Sequence, residues 1–259
     1  MKSIDLNADL GEADNVEWAR NEAKMLLYIS SANIACGGHA GTETSMRHMV
    51  RGAKENGVMI GAHPSYPDKA HFGRKSMTLG EDISAENLKA SLLEQITTLA
   101  EIASEEEMFI SYVKPHGALY NDAVKDAEKA DLIADVISMI DPKLIFMGGP
   151  NSEMSKAAQR QKLKFIAEGF IDRRYTDDGH LQSRKIEGAV IKDQKARLIQ
   201  AKKLVTLQSV TTASGKELPI AVKTLCLHGD SAGAVETARL ARREIEAAGL
   251  KIKAFARVS

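Results

Sequence analysis

Seven short apolar runs punctuate the chain: SIDLNA (3–8), SANIAC (31–36), GVMIGA (57–62), FISYVK (109–114), LIFMGG (144–149), KFIAEG (164–169) and KTLCLH (223–228). Each has the length of a strand, and amphipathic stretches lie between most of them. The clearest of these spans 84–103, where Leu88, Leu92, Ile96, Leu99 and Ile102 recur every three or four residues. Ser84 stands where an N-cap belongs, with Asn87 at the third position in place of a capping-box Glu. A second helix is predicted over 230–249, opening at Asp230 or Ser231 and stopping at Gly249. A third is predicted over 193–210. This alternation predicts an α/β fold of parallel βαβ units. The polar, turn-rich segment 171–192, with DDG at 177–179, reads as a loop or hairpin insertion. No internal repeat or linker divides the chain, so one domain over 1–259 is expected.

The ends of the apolar runs are unusually polar. Asp5, Asn7, Asp9 and Glu12 follow or interleave with the first. His39 sits in CGGHAG after the second, and His63 in GAHPSYPD after the third. Lys114 and His116 end the fourth, Glu168 and Asp172 the sixth, and His228 and Asp230 the seventh. In a barrel of parallel strands these positions converge on one mouth, which makes polar side chains there affordable. A lone histidine beside glycine is ordinarily a hydrogen-bonded loop residue. Four histidines after four strands point instead to a shared pocket.

Asp5, Asn7 and Asp9 share one strand face, as a general-base or metal-ligand array would; capping of local turns is the alternative for Asn7 and Asp9. Gly37, Gly38 and Gly41 permit close backbone approach to a ligand or a tight turn. Neither a Walker A loop nor a GxGxxG fingerprint is present. Arg74, in HFGRKSM, suits a substrate carboxylate, and DRRY (172–175) offers the same chemistry; surface ion pairing is the plain alternative for both. His48 and His180 are expected to be solvated.

Composition narrows the classes. The 259 residues are 44% hydrophobic, with 35 basic and 35 acidic side chains. A sizeable core is affordable, and the basic stripe of a nucleic-acid binder is missing. No apolar run approaches the ~20 residues of a membrane span, and the N-terminus turns polar at Asp5. Neither nucleic acid nor membrane is an expected partner. A cytoplasmic protein with two reduced thiols, Cys36 and Cys226, is the expectation. The ten methionines suit core filling.

DLNADLGE, SANIACGGHAG, GAHPSYPD, FGRK, VKPHGALYN, EGFIDRRYTDDGHLQSR and CLHGD occur in the order found in the LamB/YcsF family, which the chain resembles from near its first residue to its final helix. Gly38 and Thr42-Glu43 stand where the family usually carries an aromatic and Asp-Pro. The resemblance implies a distorted seven-stranded β/α (TIM-like) barrel of the glycoside hydrolase/deacetylase type. It also implies ATP-dependent opening of 5-oxo-L-proline to L-glutamate, with partner subunits B and C that resemble the two parts of allophanate hydrolase. On that reading Asp5, Asp9, His63, Lys114, His116 and Glu168 are the expected catalytic residues. Asn7, His39, Arg74, His228 and Asp230 are the expected substrate-binding ones. ATP is the expected cosubstrate, and a divalent ion remains an option with no assigned ligands. Two rival readings stay open: a stand-alone metal-dependent hydrolase or deacetylase, and a non-catalytic lactam-binding subunit.

Overall fold

The alternation along Ser3–Leu10 sets the architecture. Ile4, Leu6, Ala8 and Leu10 belong to the large apolar cluster shared with the helices. Asp5, Asn7 and Asp9 point the other way, into the lumen of a barrel. The structure is a computed structural model that describes residues 2–229 and 233–256.

The strands are β1 (Ser3–Leu10), β2 (Ser31–Ala35), β3 (Met59–His63), β4 (Ile110–Val113), β5 (Ile145–Gly148), β6 (Phe165–Phe170), β7 (Ser209–Thr211), β8 (Glu217–Pro219), β9 (Thr224–His228) and β10 (Lys251–Ile252). Strands β1 to β6 form a parallel series in chain order, each paired with the next. β6 then pairs with β9, and β9 with β1, closing a seven-stranded parallel barrel. β10 adds to the start of β1, and β7 and β8 form a separate antiparallel pair. The helices are α1 (Val16–Met25), α2 (Glu43–Asn56), α3 (Ala85–Glu105), α4 (Gly117–Ala123), α5 (Ala127–Ile140), α6 (Glu153–Arg160), α7 (Gln194–Thr206) and α8 (Ala234–Ala247). The TIM-like α/β barrel expected from the sequence is the fold observed.

All seven expected strands fall within two residues of their observed bounds. Ser84 caps α3, its Oγ accepting from Asn87 N at 3.1 Å. The helix expected over 193–210 stops at Thr206. Gln208 takes a left-handed φ of 48°, and Val210, apolar and buried, enters β7 instead. The last helix begins at Ala234 behind Gly233, later than Asp230 or Ser231, which lie outside the described residues.

The lumen is layered. Its floor is apolar: Met59, Tyr112, Ile145, Met147 and Ile166 meet Ala254, Phe255 and Ala256 from the chain's last segment. Gly61 makes room for this layer, since a Cβ there would stand 2.4 Å from the Tyr112 ring. Above the floor the filling turns polar. Asp5 accepts from Ser30 (2.7 Å) and Ser31 (2.5 Å) and pairs closely with Thr224. Asn33 donates to both Asn7 and Asp9 at 2.7 Å and accepts from the Tyr112 hydroxyl at 2.6 Å. Buried polar atoms are tolerated when paired in this way. Among the described residues no helix is long and apolar enough to cross a membrane, and both cysteines are free and buried.

The floor gives a stability prediction. Phe255 packs edge-on to Tyr112 with ring centroids 5.2 Å apart. Phe255→Ala should cost about 2 kcal/mol and lower Tm by roughly 4–8 °C. Calorimetry checks this; an unchanged Tm would mean the last segment does not seal the barrel.

Candidate active site

The polar lumen continues upward into the strand ends. Lys114 follows β4, its backbone N donating to Ala62 O at 2.9 Å and so extending the ladder. The residue is only 1% exposed. Its ammonium lies 2.8 Å from Asp9 Oδ1, 2.9 Å from Glu168 Oε1 and 3.1 Å from Cys226 Sγ. Burial opposes the charge, but Asp9, Cys226 and Glu168 outweigh it and hold Lys114 well above its usual range. The two carboxylates respond differently. Burial would raise Asp9, yet His63 and Lys114 hold it well below the ordinary range. For Glu168 burial wins over Lys114, and its carboxyl is pushed up. Lys114, at 2.9 Å, and Asn7 both face the Glu168 carboxylate without offsetting its burial. One lysine thus separates an acid that is hard to protonate from one that is easy to protonate.

Two histidines sit beside this triad with their tautomers set by backbone carbonyls. His63 Nδ1 donates to Lys114 O at 2.7 Å, and His116 Nε2 donates to Phe72 O at 3.1 Å. The opposite nitrogens, His63 Nε2 and His116 Nδ1, face each other at 3.0 Å. Two neutral rings would place lone pair against lone pair there. The contact therefore requires an added proton or a cation. Glu12 Oε1 lies 3.3 Å from His116 Nδ1 and 3.0 Å from His39 Nε2. The His39 ring stacks on His116 at 3.6 Å and 3°. Burial, then the His39 charge, pushes His116 down to about 3, and burial also lowers His39. Burial alone would raise Glu12, but hydrogen bonds from His116 and His39 hold it far below the usual carboxylate range.

Glu12, His39, His63 and His116 offer four donor atoms within 4.8 Å of one another. Carbonyl partners on the far nitrogens of His63 and His116 are the outer contacts typical of metal-binding imidazoles, so the set fits a divalent ion. The array anticipated on β1 does not: Asp5 and Asn7 are absorbed by serine, threonine and asparagine partners deeper in the lumen.

Asp9, His63, Lys114, His116 and His228 line a neck of ≈ 30 Å³, room for about one water. His228 Nδ1 pairs with Asp172 Oδ2 at 2.8 Å, and its Nε2 lies 3.9 Å from Asp9 Oδ2. Burial would raise Asp172, but His228 draws it down to about 2. The neck opens into a cavity of ≈ 940 Å³ walled by Glu168, Phe170 and residues of the 173–186 segment. Arg74, Arg173 and Arg184 line both spaces. Gly117 lets the chain turn beneath them: its φ is 58°, and a Cβ would stand 2.6 Å from Gly73 O.

A profile of the LamB/YcsF family matches residues 4–259. The chain belongs to the LamB/YcsF family. It is 41% identical over 259 residues to a 5-oxoprolinase A subunit of Agrobacterium fabrum, covering 99% of each chain. It is 42% identical over 254 residues to the 5-oxoprolinase A subunit of Haemophilus influenzae, covering 98% of this chain and 100% of that one. The crystal structure of the lactam utilization protein from Thermus thermophilus superposes with a TM-score of 0.87 at 36% identity, covering 98% of this chain and 100% of that one.

Of the residues singled out in the sequence, Asp9, His63, Arg74, Lys114, His116 and His228 line the neck, and Arg74 and Glu168 line the cavity it joins. His39 sits behind His116, and Asp5 and Asn7 lie deeper, lining neither space. Asp230 lies outside the described residues. The family differences at Thr42 and Glu43 concern a helix cap: Thr42 Oγ1 accepts from Ser45 N at 3.1 Å, and Glu43 is exposed. At Gly38, a Cβ would stand 2.3 Å from Gln95 Oε1, whose amide bridges the Ser65 backbone. His48 is exposed as expected, whereas His180 is half-buried and borders the cavity. Glu12 and Asp172 were visible as polar strand ends without an assigned role. Arg173 was visible only as part of DRRY, and nothing in the sequence marked Arg184.

The loop carrying Glu12 depends on Glu22, whose carboxylate accepts from Glu12 N at 3.0 Å and also from the Ala13 and Gly11 backbones. Burial, reinforced by the Glu12 charge, lifts Glu22 from the usual 4.5 to about 8. A carboxyl with a raised folded-state pKa stabilises the fold below its unfolded value and loses that contribution as pH rises through its folded value. Tm should therefore fall between about pH 5 and pH 8.5, and Glu22→Gln should flatten the decline. A scan by differential scanning fluorimetry checks this; parallel curves for the two proteins would remove Glu22 as the cause.

Proposed function

We propose that this chain is the lactam-opening subunit of an ATP-dependent 5-oxoprolinase, converting 5-oxo-L-proline to L-glutamate together with subunits B and C. The observation carrying this reading is the Asp9–Lys114–Glu168 triad at the junction of neck and cavity. The names of the relatives support the substrate class. A lactam amide resists water at neutral pH, so its carbonyl needs activation, which a phosphoryl group from ATP supplies.

The ring lies in the cavity with its carboxylate on Arg74 and its carbonyl carbon at the neck. Water in the neck gives up its proton to His63 or His228, each of which is oriented by a fixed partner on its far nitrogen. His116 passes protons onward through its contact with His63. Asp9, held ionised, stabilises the imidazolium that results. Lys114 offsets negative charge building on the carbon's oxygen. Glu168, the carboxyl pushed upward, delivers a proton to the ring nitrogen as the C–N bond breaks. Asp5, Asn7 and His39 hold these groups in position. A subunit that only bound lactam would have no use for a buried charged triad at its cavity.

The donor cluster favours a second reading, a metal-assisted hydrolase. Glu12, His39, His63 and His116 would hold the ion, which would polarise the carbonyl as a Lewis acid. Elemental analysis of the dialysed chain decides between an ion and a proton. One divalent ion per chain, lost in His39→Ala, supports the metal; a chain that holds no ion and takes up none from added zinc supports the proton.

Glutamate formation from 5-oxo-L-proline and ATP tests the main reading, comparing this chain, candidate B and C subunits, and the mixture. Turnover is expected only in the mixture, with Glu168→Gln and His116→Ala each lowering kcat about 100-fold or more. Full activity in either variant would overturn these assignments. Turnover without this chain would overturn its catalytic role.

A further inference from the structure

Among the described residues four tyrosines are buried: Tyr66, Tyr112, Tyr120 and Tyr175. Three of their hydroxyls have protein partners. Tyr66 donates to Asp122 at 2.9 Å, Tyr112 donates to Asn33 Oδ1 at 2.6 Å, and Tyr175 accepts from Phe170 N at 2.8 Å. The Tyr120 hydroxyl has no partner among the described residues, although the residue is only 4% exposed. Buried hydroxyls are ordinarily paired, so one that the protein leaves alone calls for a partner from outside the chain.

The surroundings place that partner. Tyr120 lies on α4 and lines both the neck and the cavity. Its ring is held edge-on to Phe170, with centroids 5.7 Å apart. Gly149, also on the cavity wall, keeps the space beside the oxygen open, since a Cβ there would stand 3.6 Å from it. Burial, then the Glu168 charge, holds the phenol well above its usual range, so it stays neutral. Asn121, which lines the same two spaces, commits its amide to Gly117 O at 2.8 Å.

A lactam ring presents three polar features. Its carboxylate and carbonyl are already matched, the first to Arg74 and the second to the neck and Lys114. The ring N–H remains. It points outward in the plane of the ring, whereas Glu168 must protonate the nitrogen through the lone pair perpendicular to that plane. The N–H therefore needs an acceptor of its own. We propose that the Tyr120 hydroxyl accepts the ring N–H of the lactam, so that this residue selects a cyclic amide over a ring with carbon in place of nitrogen. This rests on the lactam reading above. A site built to bond an N–H rejects the analogue lacking it, because the buried hydroxyl is then left unpaired.

Calorimetric titration of the full chain, alone and with subunits B and C, tests the assignment. It compares 5-oxo-L-proline with 3-oxocyclopentane-1-carboxylate, which carries a methylene where the lactam carries nitrogen. The wild-type chain should favour the lactam by about tenfold or more. Tyr120→Phe should raise the lactam Kd about tenfold and shift the ketone Kd by less than about threefold. Its ligand-free Tm should stay level or rise, because no bond within the protein is lost. Gly149→Ala adds a methyl that meets Val124 at 3.4 Å and the hydroxyl at 3.6 Å, both ordinary contacts. By covering the hydroxyl it should weaken lactam binding about threefold or more. An unchanged lactam Kd in either variant, equal losses for the two ligands in Tyr120→Phe, or a lowered Tm would overturn the assignment and leave the lactam reading standing. A wild-type chain that binds no 5-oxo-L-proline in either setting would overturn the lactam reading, and this assignment with it.

Discussion

The structure turns on an ammonium group placed inside a barrel. Lys114 is buried between Asp9 and Glu168, and its charge is sustained only because those carboxylates stand within 3 Å of it. Removing Lys114 would leave two carboxylates facing each other uncompensated in a low-dielectric lumen, a loss of several kcal/mol. The rest of the architecture supports this arrangement. The apolar floor closed by Phe255 keeps bulk water from entering below, and the hydrogen-bonded layer of Asp5, Asn7, Asn33 and Thr224 fixes the depth at which Asp9 and Glu168 emerge. Because β1 pairs with both β2 and β9, Asp9 is clamped on two sides and cannot follow its charge elsewhere.

The histidines extend the same logic. His63, His116 and His228 are oriented by a group on the far nitrogen: a main-chain carbonyl for the first two, and Asp172 for His228. That leaves the near nitrogens of His63 and His116 aimed at one small volume that also receives Glu12. Such convergence concentrates acceptor atoms where a proton or a cation must reside. Acid–base catalysis and metal binding are therefore two uses of one geometry, which is why they are distinguished by composition of the bound species rather than by the fold.

Much of this was legible in the sequence, for a physical reason. Period-two alternation in DLNADL and the placement of titratable residues at strand ends report directly on which side chains face the lumen and which lie at the mouth. Depth is not encoded in the period. Asp5, Asn7 and Asp9 share a face, but only the barrel's stagger shows that Asp9 reaches the neck while Asp5 is absorbed by serines and a threonine. Glu12 was hard to assign because it follows β1 in a turn, where no repeat applies; its meaning comes from His39 and His116, far away in sequence. Arg184 gave no signal, since an arginine in a polar loop looks the same whether it faces solvent or a cavity. The overlong helix over 193–210 has a different origin. The Leu204, Val205 and Leu207 pattern runs on without a Gly or Pro stop, and only the left-handed Gln208 breaks it.

Lys114 also links the neck to the cavity. Asp9 lines the one and Glu168 the other, and the ammonium reaches both from inside the barrel. The guanidiniums of Arg74, Arg173 and Arg184 line both spaces, so cations and carboxylates meet where the two join. Without Lys114, Asp9 would lose a charge that holds it ionised, and Glu168 one that opposes its protonation. A single buried lysine thus sets the protonation preferences of both carboxylates and ties the neck to the cavity electrostatically.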